Sequence, residues 1–257
     1  MEIFDFHLHP GYDFHENDTD PHNFVKRLVK NKITGAAGNF INMAINKQPL
    51  EDYPELITNA NQKAWEFNKM YPEFFVPGIH IHPEFLNLSC EQLEMHSKKG
   101  FNLIGELVGY MMGFDFNHKN WNEILTLAGE KEMVLSFHTP KRDFDAFENL
   151  ARQFKNVKFV IAHLDGYGLY DRCISIMSEC DNVYADLSAY GADREGMLKD
   201  AVSKVGSHKI LFGTDYPGSN DNTWTHKFVN YVLNEDITDT DRENIMYKNA
   251  KTLLNVK

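Results

Sequence analysis

Short runs of apolar and β-branched residues recur along the chain, each stopped by a polar or turn residue. They are IFDFHLH (3–9), ITGAAGNF (33–40), FFVPGIHIH (74–82), FNLIGELVG (101–109), MVLSFHT (133–139), VKFVIAHLDG (157–166), VYADLSAYG (183–191) and KILFGTDYP (209–217). Near-continuous apolarity over so few residues predicts strands buried on both faces, as in a parallel sheet. Between them, NFVKRLVKN, ANQKAWEFNKMY, LSCEQLEMHSKKG, WNEILTLAGEKE and AFENLARQFK space their apolar residues three and four apart, as amphipathic helices do. Repeated right-handed βαβ units close naturally into a barrel, so the expected fold is α/β: a (β/α)8 TIM barrel, with room for distortion. A doubly wound open sheet would show the same alternation, but the G-x-G-x-x-G turn after its first strand is missing. The tail ITDTDRENIMYKNAKTLLNV (237–256) predicts a closing helix, capped by Thr238 or Asp239, with Ile245, Leu253 and Leu254 as apolar positions.

Composition narrows the picture. A chain of 257 residues without a Pro/Ser-rich linker or repeat array is read as one domain over 1–257. A formal net charge of -11 argues against a nucleic-acid partner, which a basic surface would serve, and favours a small-molecule substrate. No apolar run approaches the ~20 residues of a membrane span. Three cysteines (Cys90, Cys173 and Cys180) and the lack of a signal-like N-terminus give reduced thiols in a cytoplasm as the expectation.

In such a barrel the chemistry lies at the C-terminal ends of the strands, so the residues that stop each run matter most. His7 and His9 end the first run, His80 and His82 the third, His138 the fifth, His163 the sixth and Asp215 the eighth, with Glu106 inside the fourth. Strand alternation sends both members of an H-x-H pair to one side, with Phe6 and Leu8 facing the helix layer. Imidazoles joined by carboxylates suit zinc and similar divalent metals. Each residue also has a structural reading: His138 as a core histidine before a turn, Asp215 as a turn cap, Glu106 as a buried acid held by a neighbour. His80 and His82 either contact substrate or support the ligands from behind. Arg142, beside Lys141 on the loop after the fifth run, meets a substrate carboxylate or is a solvated surface charge. The mouth loops GYDFHENDTDPH, GYMMGFDFNHKN and GSNDNTW are aromatic and polar without a decisive specificity code.

DFHLHP, SFHTP, IAHLDG and LFGTDYP together resemble, in order, the metal-binding strand ends of the amidohydrolase superfamily. The tail RENIMYKNAKTLLNV is similar to the closing helix of its amidohydrolase-2 group. The resemblance implies a divalent metal, usually zinc, on His7, His9, His138 and Asp215, with His163 polarising the substrate, and it often accompanies pairing into homodimers. IGELVGYMMGFDF departs from the group's commonest pattern, and its glutamate resembles the strand-four ligand of TatD-like relatives. That parallel implies two metals, bridged by Glu106, with His163 on the second.

The expected activity is hydrolysis of an ester, lactone or amide by a water whose pKa a metal lowers from about 15.7 to near 7. Asp215 would shuttle the proton and His163, or a second metal, would stabilise the oxyanion. Two rivals remain: non-oxidative decarboxylation of an aromatic or enoic acid at the same centre, and a barrel that binds metal or ligand without turnover.

Overall fold

The computed structural model describes residues 1–11, 20–41, 47–188, 194–217 and 222–256. The larger parts of the loops expected after the first and eighth strands, and the end of the VYADLSAYG run, lie outside the described residues. Eight parallel strands pair in sequence order: β1 (Phe4–Leu8), β2 (Gly35–Gly38), β3 (Phe75–Ile79), β4 (Leu103–Val108), β5 (Val134–His138), β6 (Lys158–Ala162), β7 (Val183–Asp186) and β8 (Ile210–Leu211). Each falls inside an apolar run read from the sequence. The connections carry α1 (Pro21–Lys30), α2 (Tyr53–Met70), α3 (Leu86–Lys98), the single turn α4 (Gly109–Met112), α5 (Trp121–Glu130), α6 (Phe144–Gln153), α7 (Tyr170–Glu179), α8 (Met197–Val205) and α9 (Asn222–Asn234). The result is a (β/α)8 TIM barrel.

Regular β8 is only two residues long, and the rest of its run closes the barrel on β1 through the backbone. Phe6 N donates to Phe212 O at 2.9 Å, Asp215 N to His7 O at 2.7 Å and His9 N to Tyr216 O at 2.8 Å. Asp5 staples this seam: its carboxylate accepts from His7 N at 3.1 Å, from Thr214 N at 3.1 Å and from the Thr214 hydroxyl at 2.6 Å. Burial nevertheless pushes the Asp5 carboxyl up to about 7, the hydrogen bonds and the His7 charge opposing it only in part.

Two irregularities decide which side chains enter the lumen. Along β1 the register runs from Asp5↔Ala36 to Leu8↔Gly38, three steps against two, and along β4 from Ile104↔Leu135 to Leu107↔Phe137, again three against two. Each is a bulge of one residue, which resets the alternation beyond it. Phe6 therefore does not share the helix-facing side with Leu8, as strict alternation predicts. It joins Phe4, Ala37, Leu103, Val134, Val160 and Leu211 in the lumen cluster, and Leu8 packs in the helix layer.

The N-terminal end of the lumen is plugged by the tail, which runs as α10 (Asp239–Glu243), a π-helical turn over Asn244–Lys248 and α11 (Asn249–Leu253). Thr238 caps it, accepting from Asp241 N at 3.1 Å. Ala250, Leu253 and Leu254 complete the lumen cluster, while Ile245 packs in the outer layer. Asn102 Nδ2 ties β4 to this plug by donating to Leu253 O at 2.9 Å.

In the helix layer, His96 of α3 is fully buried, and Trp65 of α2 donates to its Nδ1 at 3.0 Å. Burial, aided by the charge of Lys99, drops this imidazole to about 3. The unfolded chain takes up a proton at this position below about 6.5 and the folded chain does not, so stability falls as pH drops from 6.5 toward 3. Between pH 7 and pH 5 His96 alone removes about 2 kcal/mol. Urea denaturation at the two pH values checks this: His96→Gln, which keeps an acceptor for Trp65, should lose about 2 kcal/mol less than the parent chain. Equal losses would show that His96 is not the titrating group.

Candidate metal centre

The bulges bring His7 of β1, His9 just beyond that strand and Glu106 of β4 to the mouth of the lumen, where His138 ends β5, His163 follows β6 and Asp215 lies on the closing seam. His7 Nε2 and His9 Nε2 stand 3.2 Å apart, and each is 3.4 Å from Glu106 Oε2. Asp215 Oδ1 lies 3.2 Å from His9 Nε2 and 3.8 Å from His7 Nε2. The other carboxylate oxygen of Glu106 faces a second set: Oε1 is 2.8 Å from His138 Nδ1 and 3.3 Å from His163 Nε2, and those two nitrogens are 3.2 Å apart. Thus all six residues expected as ligands converge, in two groups that share Glu106.

Groups behind the imidazoles set which nitrogen each turns toward the centre. His7 Nδ1 donates to Asp186 Oδ2 at 2.8 Å. Asn39 Nδ2 is committed to the Glu106 carbonyl at 2.9 Å, so Asn39 Oδ1 accepts from His9 Nδ1 at 2.9 Å. His163 Nδ1 donates to the Ser188 hydroxyl oxygen at 2.8 Å and faces the Ser188 carbonyl at 3.2 Å. Ser188 in turn donates to Asp186 Oδ1, which also accepts from His163 N at 3.2 Å. Three Nε2 lone pairs and two carboxylates are therefore aimed inward, an arrangement of acceptors that only positive charge relieves.

The electrostatics express the same demand. Burial alone would lower His7, but the charges of Asp186 and Glu106 hold its imidazole well above the usual histidine range. Burial is likewise outweighed at His9, which Asp215 and Glu106 raise to about 9. Glu106 is held well below the ordinary carboxylate range by His7 and His138, against the opposing effect of burial. Ligands bonded at about 2.1 Å to a tetrahedral ion stand about 3.4 Å from one another, close to the observed separations. The donor set thus fits divalent cations.

The backbone is strained at the same places. His163 and Asp215 adopt left-handed conformations, with φ of 66° and 56°. Gly213 lets the segment after β8 pass close to His7, because a Cβ there would stand 2.9 Å from His7 Cβ.

The remaining expected residues lie further out. His80 backs the centre at one remove: its Nε2 is 3.0 Å from Asn39 Nδ2 and 3.0 Å from Phe40 O, and burial lowers it to about 4. His82 donates from Nε2 to Met112 O at 2.9 Å and is enclosed by Tyr53, Phe85 and Phe114. Arg142 is exposed and its Nε pairs with Asp143 at 3.4 Å. Sequence reasoning missed Asp186, Asn39 and Ser188. Asp186 carried a usable signal, since it ends VYAD as the ligands end their own runs; Asn39 and Ser188 carried none.

Because Asp186 holds His7 from behind, Asp186→Asn should weaken binding of a divalent ion about 10–100-fold while the far-ultraviolet circular dichroism is retained. Competition with a chromogenic chelator measures this, and parental affinity in the variant would contradict the role.

A model of the amidohydrolase family matches residues 36–256. The match begins at β2, so His7 and His9 enter the site on geometry alone. No curated protein matches the chain. Among solved structures, it is similar to 2,6-dihydroxybenzoate decarboxylase from Rhizobium, at 16% identity over 98% of each chain with a TM-score of 0.75. It is also similar to 5-carboxyvanillate decarboxylase from Novosphingobium aromaticivorans, complexed with manganese and 4-hydroxy-3-methoxy-5-nitrobenzoic acid. There the identity is 12%, the coverage 99% of this chain and 96% of that one, and the TM-score 0.78. A third, an amidohydrolase II, gives 15% identity, coverage of 99% and 100%, and a TM-score of 0.78. At such identities the likeness is one of fold, and with the family match spanning most of the sequence, this chain belongs to the amidohydrolase-2 family.

Proposed function

We propose that the chain is a metal-dependent hydrolase of a small ester, lactone or amide, working with two divalent cations bridged by Glu106. The observation that carries this reading is the division of the Glu106 carboxylate, with one oxygen toward His7 and His9 and the other toward His138 and His163. On this reading His7, His9, Asp215 and Glu106 would hold one ion, and His138, His163 and Glu106 the other. Nitrogen and carboxylate donors suit zinc, and the manganese in a similar structure makes that ion the second to test. When bound, such ions polarise a carbonyl oxygen and make water nucleophilic at neutral pH.

The protein's own part is positioning and proton transfer. Asp215, whose side chain is 20% exposed at the mouth, keeps Oδ1 toward the histidines, and its other oxygen takes the proton of the attacking water and returns it to the leaving group. Asp186, Asn39 and Ser188 keep the imidazole rings from turning. The barrel's likeness to decarboxylases of aromatic acids, one with bound manganese, favours a second reading: loss of carbon dioxide from an aromatic acid at a single ion.

Elemental analysis with a substrate screen separates the two. Two ions per chain and turnover of lactones, esters or amides support hydrolysis; one ion and carbon dioxide released from aromatic acids support the second reading. Asp215→Asn should lower kcat about 10²–10⁴-fold without altering the circular dichroism, and undiminished turnover would refute its role. Glu106→Gln removes the shared charge and should reduce the ion content to one or none, whereas an unchanged content would rule out the bridge.

A further inference from the structure

The second His-x-His of the chain, His80 and His82, has no place among the proposed ligands, yet a single buried side chain secures both backbone groups of each. β3 pairs with β2 as far as Pro77 and with β4 as far as Ile79. Beyond that point, side chains of the helix layer take the place of a neighbouring strand. Asn61 of α2 donates from Nδ2 to His80 O at 2.9 Å and accepts from His80 N at 2.7 Å, while Gln92 of α3 accepts from the same amide nitrogen at 2.9 Å. Ser89 of α3 serves His82 likewise, accepting from His82 N at 2.9 Å and donating to His82 O at 2.8 Å.

The His80 ring so mounted faces Asn39. Phe40 O, 3.0 Å away, can only accept, so His80 Nε2 carries the ring proton and donates to it. Asn39 Nδ2 stands 3.0 Å from His80 Nε2 and 3.5 Å from His80 Nδ1. An atom almost equally far from both nitrogens is off the lone-pair direction of either, and in the ring plane it would collide with a ring carbon. The amide nitrogen therefore lies over the ring face. Burial keeps this imidazole uncharged, and the electron-rich face of a neutral ring favours an N–H over a carbonyl oxygen. Together with Glu106 O, which accepts from Asn39 Nδ2 at 2.9 Å, the ring selects one of the two orientations of the amide. Turned the other way, Asn39 Oδ1 would face both the Glu106 carbonyl and the ring, and Nδ2 would face His9 Nδ1. The His9 proton would then belong on Nε2, and the nitrogen aimed at the centre would lose its lone pair.

We propose that His80, mounted on Asn61, is a positioning residue for the metal centre: its ring fixes the amide of Asn39, and thereby the tautomer in which His9 presents a bare Nε2. This rests on the proposed ion at His7 and His9, and it holds for either reaction there.

A double-mutant cycle on zinc affinity, read by competition with a chromogenic chelator, tests the role. His80→Leu, which removes the flat face, should weaken zinc about tenfold, and His80→Phe, which restores a face, should recover part of that loss. In the Asn39→Ala background His80→Leu should change the affinity less than about twofold, because the amide through which it acts is gone. A residue that merely packs would weaken binding by the same factor in both backgrounds. That result would overturn the proposal, as would parental affinity in His80→Leu. Circular dichroism checks folding; should His80→Leu not fold, His80→Gln, which keeps a donor for Phe40 O without the face, takes its place in the cycle. Zinc bound by neither parent nor variants would refute the centre itself, whereas parental binding with an additive cycle would refute the role of His80 alone.

Discussion

Buried carboxylates and imidazole lone pairs repel one another unless positive charge lies between them, and the mouth of this barrel concentrates that problem on Glu106. Its two oxygens meet four imidazole nitrogens within 3.4 Å, inside a shell almost closed to water. The carboxylates around them hold the imidazoles of His7 and His9 above the usual histidine range against the pull of burial. Divalent cations would satisfy it at the spacing the donors already have. Much of the surrounding structure follows from holding these groups in place: Asp186 behind His7, Asn39 behind His9 and Ser188 behind His163 each fix a ring nitrogen that would otherwise be free to turn.

That convergence depends on backbone irregularity more than on side-chain choice. Without the extra residue in β4, Glu106 would share the helix-facing side with Ile104, where a carboxylate has no partner. The bulge in β1 does the same for His7, which keeps Phe6 below it in the lumen as a dry floor. Left-handed backbone at His163 and Asp215 opposes stability by about 1–3 kcal/mol at each position. The plugged lumen and the Asp5 staple supply the rigid frame in which such strain persists.

The (β/α)8 frame hosts many reactions, so likeness of fold to decarboxylases leaves the chemistry to the mouth. There the proposed bridge at Glu106 concerns how water would be activated.

The eight strands, their parallel order and the capped closing helix were legible in the sequence, because burial on both faces writes a strand as an apolar run and amphipathic spacing writes the helix between. The ligand candidates were legible too, since polar residues that stop apolar runs are costly unless they are used. Strict alternation misplaced Phe6 and could not aim Glu106, because a bulge is a register relation between two strands and leaves no mark in either one. Asn39 and Ser188 are ordinary residues in the sequence; what sets them apart is the neighbour that folding brings, across more than twenty positions of chain. The sequence by itself determined the barrel and the kinds of donor at its mouth. Only the tertiary structure decided that Glu106 stands between two sets of histidines, since that depends on which strands are neighbours and on one added residue in each of two of them.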